Sequence, residues 1–514
     1  MTSQPPDPAP GAPALDAGSA TPGPAAPAVA RGDDWIPAAA RALALAALVV
    51  IPLRILAQGY LPADDALRHA AKAVSGRDWS EILLLRPELT LDQHPGWHAI
   101  LGALHRGLGL SPLDLVLFAV GALFVLYSLA PVLLLRRPEA WLLALALLCI
   151  ADPVFVERLM LGRPYLLASA IVPLVCLLWP RLDGPKPAPA FVLFTLLSAV
   201  ATWIHGSFYL LALPVLALAG ARESRAALRL AAAFACGVPL GALLTGNPAG
   251  RLWETLVHGY LAVGSAKAAA SLVTELQAFE GRPAVVAAFL GLAAWRAARR
   301  DGRGPLRREP AVVMAVGGWA LGFLASRFWI DWAAPALLVF AAVELERAFE
   351  RHAPAASRAR LGVAAGAALL LLLVTGADLK GRWSDTAGRT FLARDNPEQA
   401  PWLPEPGGIA YSVDMGLFYS TFFRNPAAPW KYVLGYEPAL MPVEDFRIYS
   451  AIRASKGSTD SYLPWVRRMR PEDRLYVRMV SNQAPPIPGL EWSQPAFALW
   501  AGRLPRPAAP SPAR

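Results

Sequence analysis

Two acids, Asp64 and Asp65, stand side by side in the run Pro62-Ala63-Asp64-Asp65-Ala66-Leu67-Arg68-His69-Ala70-Ala71-Lys72. On a helix Asp64 falls one turn before Arg68, and Asp65 one turn before His69, so acids open the element and bases sit beside them. A carboxylate in that setting can take a proton from an acceptor hydroxyl or hold a divalent metal, while Arg68, His69 and Lys72 neutralise a phosphate. The plainer reading is that Asp64 caps a helix and Asp65 favours its dipole. Leu67, Ala71 and Val74 recur at helical spacing, which predicts an amphipathic helix lying on a membrane surface.

The same stretch closes with Leu91-Asp92-Gln93-His94-Pro95-Gly96-Trp97-His98, entering a helix with His94 and His98 one turn apart. No third firm ligand is placed for a metal there, and a hydrogen-bonding role beside a sugar or phosphate is expected. The segment Ala151 to Pro164 sets Asp152, Glu157, Arg158 and Arg163 between apolar stretches. Ionisable groups at such depth are expensive unless paired or functional, so Glu157 with Arg158 or Arg163 is either a structural ion pair or part of a site. His205, between Trp203 and Gly206, has the same two readings, with a satisfied polar group at a helix break as the plainer one. Arg327 and Asp331 flank aromatics; snorkelling accounts for Arg327 and leaves Asp331 unexplained.

The element that must position these residues is a bundle in a bilayer. Of 514 residues 55% are apolar and 17% charged, and the mean hydropathy is +0.39, which excludes an ordinary soluble enzyme. Windows long enough to cross roughly 30 Å of hydrocarbon give about eleven helices. They centre near Ala47, Leu123, Leu145, Val172, Leu196, Leu213, Phe234, Leu290, Val316, Leu338 and Leu370. Several are short, as tilted, broken or shielded helices are. The net charge of +10 would suggest nucleic acid in a soluble protein; here its position indicates topology instead. If the N-terminus starts in the cytoplasm, the clusters at Arg136-Arg137, Arg181 with Lys186, Arg222 to Arg229, Arg296 to Arg308 and Arg347 to Arg360 all fall inside, as the positive-inside rule requires. That count needs Phe191 to Gly220 to be two short helices broken near His205. Every chemically unusual segment then faces the opposite side of a plasma (inner) membrane.

Residues 1–34 are rich in Pro, Ala and Gly and read as a disordered cytoplasmic tail. Residues 35–379 form the transmembrane domain with an outer loop at 58–94, and 380–514 an extracytoplasmic domain of mixed α/β type. In that domain Gly408 to Val413 and Arg474 to Val480 read as strands and Pro442 to Ala454 as a helix. Cys149, Cys176 and Cys236 lie in apolar stretches and offer no disulfide framework. Glycine pairs at 237/241, 318/322 and 362/366 predict close helix packing. No phosphate-binding loop, HExxH or dinucleotide fingerprint occurs, which argues against an ATP-driven pump.

A long first outer loop opening with Asp64-Asp65-Ala66-Leu67-Arg68-His69, a Pro-Gly helix entry in Asp92-Gln93-His94-Pro95-Gly96-Trp97, acids in the second outer turn and a C-terminal outer domain together resemble the GT-C superfamily of polyprenyl-phosphate-dependent glycosyltransferases. The resemblance spans about Arg41 to Leu379 through short motifs. It implies inverting transfer of a sugar from a polyprenyl-phosphate carrier to an acceptor on the non-cytoplasmic face. Asp64 or Asp65 would be general base or ligand of a Mg or Mn ion, Glu157 would hold the second-loop acidic position, and Arg163 and Arg327 would meet the lipid phosphate. Arg68, His69, His94 and His205 are the further substrate-binding candidates. The tail lacks a WWDxG-type sequon reader, so a lipid, glycan or other hydroxyl acceptor is expected. Two other classes stay open: a transporter or flippase, suggested by broken helices, and a noncatalytic scaffold docking partners through exposed Trp430, Tyr432 and Tyr436.

Overall fold

A computed structural model describes residues 35–264, 277–299, 304–352, 357–386 and 391–505. The expected N-terminal tail lies outside the described residues. Six described helices are long and apolar enough to cross a membrane: Ile36–Leu56, Pro112–Leu134, Tyr165–Asp183, Ser224–Leu243, Ser326–His352 and Arg358–Gly376. The pair Pro138–Ala151 and Pro153–Leu159 meets the same test together but is bent by 117°, and Ala188–Ile204, Phe208–Gly220, Pro283–Ala298 and Pro310–Gly322 are shorter apolar helices. Each expected centre from Ala47 to Leu370 falls inside one of these elements.

Local chemistry sets their ends. Ser111 and Asp114 exchange side-chain and backbone hydrogen bonds in a capping box that starts Pro112–Leu134. Pro153 follows directly on Asp152 and stops the preceding helix, since the residue before proline avoids helical backbone. The break expected near His205 is present: Ala188–Ile204 ends there, with His205 itself extended, and a short 3₁₀ turn leads into Ala212–Gly220. Gly237 and Gly241 lie so close to Thr195, Ser198 and Ala199 that a Cβ would collide, and Gly318 and Gly322 press on Ala333 and Phe279. Gly362 and Gly366, expected to do the same, face open space. Among the described residues the first two pairs make close approaches and nothing lies opposite the third.

The C-terminal part carries a five-stranded sheet in the order β2-β1-β3-β5-β4, with β1 Ile409–Tyr411, β2 Lys431–Tyr432, β3 Arg474–Arg478, β4 Glu491–Ala496 and β5 Leu499–Arg503. β1 runs parallel to β2 and β3, while β3, β5 and β4 are antiparallel. Helix Val443–Ala454 covers it through Ile448, Tyr449 and Ile452, which join Tyr411, Trp465 and Leu475 in one core. Trp430, Tyr432 and Tyr436, expected to be exposed, are buried, and the 58–94 segment packs beside Tyr432 and Tyr436. The Leu84 amide donates to the Tyr432 carbonyl at 2.9 Å and the Arg86 amide to that of Leu440 at 2.9 Å.

That packing also corrects the helix expected on the membrane surface. Asp65–Ser75 is buried from Ala66 to Ala71, between the bundle helices Pro95–Leu108 and Pro112–Leu134 and the outer helix Met415–Arg424. Small residues off the apolar stripe, Ala66, Ala70 and Ala73, let a second layer approach it.

Candidate functional site

Where the outer layer meets the bundle, a cavity of about 410 Å³ is lined by Asp64, Asp65, Arg68, His69, His94, Arg163, His205 and Arg327, among others. Eight of the nine site residues expected from sequence therefore meet, drawn from segments far apart in the chain.

The acids and arginines form one network, paired differently from expectation. Arg163 donates through Nη2 to Asp64 Oδ2 at 2.7 Å, and its Nε lies 3.4 Å from Asp65 Oδ2. Arg68 Nε donates to Asp65 Oδ1 at 2.7 Å, a three-residue rather than a four-residue spacing, and its guanidinium lies 3.9 Å from the centre of the Tyr436 ring. Asp64 occupies the N-cap position without a side-chain cap bond and points to Arg163 instead. Gly162, at φ +65°, makes the turn that delivers Arg163; a Cβ there would press on Val120 and Ala66.

Along the cavity wall the histidines form a chain. His69 Nδ1 lies 2.8 Å from His98 Nε2, and His98 Nδ1 lies 2.5 Å from Asp92 Oδ2. Asp92 Oδ1 accepts from the indole of Trp79 at 3.2 Å and from the His94 amide at 2.9 Å. The His94 ring stands edge-on to His69 at 4.7 Å and to His205 at 5.0 Å. Burial pushes His69 well below the usual imidazole range, and the Arg68 charge adds to it. Burial likewise lowers His98, outweighing Asp92. Burial alone would raise the Asp92 carboxyl, but the charge and hydrogen bond of His98 hold it below the ordinary range.

Arg251 fastens this wall. Its Nη1 donates to the Asp92 carbonyl at 2.8 Å, and its Nη2 to the carbonyls of Gln93 at 2.8 Å and Thr202 at 3.3 Å. Gly96 leaves room for the Trp203 ring against the start of Pro95–Leu108, which brings the His205 break beside His94. On the far side His258 hydrogen-bonds Glu437; burial lowers its pKa, yet the Glu437 carboxylate outweighs burial and raises it overall. Arg251 and His258, which are not among the candidates named from sequence, both lie on the helix Pro248–Gly264. The signal was present: Arg251, Glu254, Thr255 and His258 follow i, i+3, i+4, i+7 and make one polar helix face.

Glu157 is the candidate that the structure leaves out. It is exposed on the short helix Pro153–Leu159, where one residue's rotation turns the neighbouring Arg158 inward. Arg158 reaches Asp331 with Nε and Nη2, each at 3.2 Å, so Asp331 is its counter-ion, and Arg327 Nε approaches the same carboxylate at 3.5 Å. The buried acid of that turn is Asp152, which accepts from Trp329 Nε1 at 2.9 Å and faces Arg282 at 3.3 Å.

Asp64 and Asp65 are the residues that would hold the expected Mg or Mn ion. Guanidinium groups already take up both Asp64 and Asp65, and among the described residues no group of three His, Cys, Asp or Glu could hold a metal. The arrangement can instead receive an anion at the arginines and a hydroxyl beside carboxylates and neutral imidazoles. Compared with known proteins, the chain matches no family model and no curated protein.

Proposed function

We propose that the chain is a membrane glycosyltransferase, GT-C-like, that moves a sugar from a polyprenyl-phosphate carrier to a lipid, glycan or other hydroxyl acceptor, with inversion. In this reading all eleven apolar elements cross an inner membrane from a cytoplasmic N-terminus, and the cavity and sheet lie on the non-cytoplasmic side. The observation that carries it is the cavity itself, where Arg68, Arg163 and Arg327 meet Asp64, Asp65 and the histidines beside apolar helices. A phosphate leaving group needs cations to absorb developing charge, and an alcohol nucleophile needs a base. The burial of Trp430, Tyr432 and Tyr436 weighs against the scaffold reading, since none of them is available to a partner.

The test is sugar transfer from a panel of radiolabelled polyprenyl-phosphate sugars by purified protein, with lipid and glycan acceptors. Asp64 and Asp65 present Arg163 and Arg68 to the phosphate, so Asp64→Asn or Asp65→Asn is expected to cut kcat/KM by about 10²-fold or more while the protein stays folded. Folded wild type that forms no product with any donor, yet moves the donor across vesicles, would replace transfer by transport.

A further inference from the structure

We infer that His69 is the proton acceptor of this cavity, with Asp92 and His98 as a relay that fixes its tautomer. The inference rests on the transfer reading and names the base that reading leaves open.

The direction of each hydrogen bond follows from the far end. Asp92 is held ionised and only accepts, so His98 carries its proton on Nδ1 and offers the Nε2 lone pair. His69 must then donate from Nδ1, which leaves its Nε2 as a bare lone pair. That Nε2 is buried with no hydrogen-bond partner, in a side chain that is 1% exposed and lines the cavity. An unpaired buried polar atom is costly, and a substrate hydroxyl would satisfy it. Asp64 and Asp65 are poorer bases because each carboxylate is paired with a guanidinium, Asp64 with Arg163 and Asp65 with both Arg68 and Arg163. His94 lines the same wall but has no hydrogen-bonded carboxylate behind it among the described residues.

In the step itself the acceptor O–H proton passes to His69 Nε2, and the oxygen's electron pair forms the bond to the anomeric carbon. The pair of the carbon–oxygen bond to phosphate leaves with the phosphate, facing the arginines. The imidazolium is stabilised through His98 by Asp92, which is a positioning residue.

Asp92→Asn is diagnostic because Asp92 Oδ1 already accepts two hydrogen bonds. The amide oxygen would keep that place and the NH₂ would face His98 Nδ1. Donation there forces the proton of His98 to Nε2 and that of His69 to Nε2, which abolishes the base without removing an imidazole. With wild type active, kcat is expected to fall by about 10²- to 10⁴-fold with donor KM unchanged. The wild-type alkaline rise of kcat with pH should vanish. The groups shaping that rise are Arg68 and Asp65 on the same helix, Arg163, His94, His98 and His205, with Tyr419 and Tyr436 from the outer layer. An active wild type whose Asp92→Asn form keeps its kcat and pH profile overturns the relay and leaves the transfer reading standing.

A second measurement needs neither a variant's activity nor a substrate. Nitrogen-15 NMR of histidine-labelled full-length protein in nanodiscs, with the His69 signals identified by their loss in His69→Gln, should show the Nδ1–H tautomer, the minor form in water. The Nε2–H tautomer at His69 overturns the proposal even if no donor is ever found.

Discussion

Charge is buried at both ends of the Pro138–Ala151 helix, and the two ends treat it in opposite ways. At the start, Glu139 is fully buried and accepts from Arg360 Nε at 2.9 Å, with Arg137 at 3.5 Å. Nearby, Glu344 takes Arg347 at 2.8 Å and Arg296 at 3.4 Å. No pocket among those described is lined by these groups. About 20 Å further along, at 1.5 Å per residue, lies the end where Asp152, Arg158 and Arg163 stand. There Arg163 and Arg327 line a cavity of about 410 Å³, and His69, which lines it too, keeps a buried Nε2 with no hydrogen-bond partner. Buried ions alone therefore do not mark a site; what marks one here is the cavity beside them and a neutral imidazole nitrogen without a hydrogen-bond partner.

The largest effect should come from breaking the closed end. Glu139→Ala removes the fully buried carboxylate that Arg360 and Arg137 both face, and removing one partner of such a pair costs about 3–5 kcal/mol. The expected outcome is loss of monodisperse protein or a steep fall in thermal midpoint, measured by size exclusion and differential scanning fluorimetry in detergent. Pairing Glu139→Gln with Arg360→Met should recover part of that loss, because the carboxylate and the guanidinium closest to it are then removed together. A double variant worse than the single would show that the closed end does more than neutralise itself.

Acidification should separate the two ends more gently. His69, His94, His98 and His205 all have pKa values pushed below the ordinary value by burial, whereas His258 is raised by Glu437. For a lowered histidine the unfolded chain takes up its proton first, so its stability contribution is complete above about pH 6.5 and is lost as pH falls below it. Each contributes a slope of about 1.4 kcal/mol per pH unit in that window. His258 acts the other way, stabilising below about pH 6.5, but it is one against four. Thermal inactivation between pH 7.5 and 5.5 should therefore quicken with acid. Slower inactivation at pH 5.5 would mean the imidazoles are charged in the folded protein and would contradict the neutral wall.

Much of this was legible in sequence, for identifiable reasons. Apolar runs and the basic clusters between them locate the helices because hydropathy is a local property. The Asp64-Asp65 run shows its chemistry because its residues are adjacent, and the His205 break because Gly206 follows it. The pairing of Asp64 with Arg163 was hidden, since it depends on the Gly162 turn bringing together residues about a hundred positions apart. The relay was hidden likewise: Asp92 and His98 were visible as neighbours, but His69 joins them only once the Asp65–Ser75 helix packs on Pro95–Leu108. The outer aromatics were misread because the 58–94 segment, which packs beside Tyr432 and Tyr436, lies more than three hundred residues upstream.

The smallest effect is expected at Glu157, and it sharpens the same contrast. Two neighbours on one short helix have opposite fates: Arg158 is buried against Asp331, while Glu157 is exposed and lines no described pocket. Its charge acts on Arg382, whose pKa is lowered by burial, with Glu157 opposing that shift. Surface substitutions of this kind shift stability by no more than about 0.5 kcal/mol. Glu157→Gln should thus leave thermal midpoint and transfer rate near wild type, under the assay in which Asp65→Asn loses about 10²-fold or more. A drop of tenfold or more in Glu157→Gln would mean that the Pro153–Leu159 helix turns over during the reaction and brings this acid to the cavity, making its 117° bend a moving part.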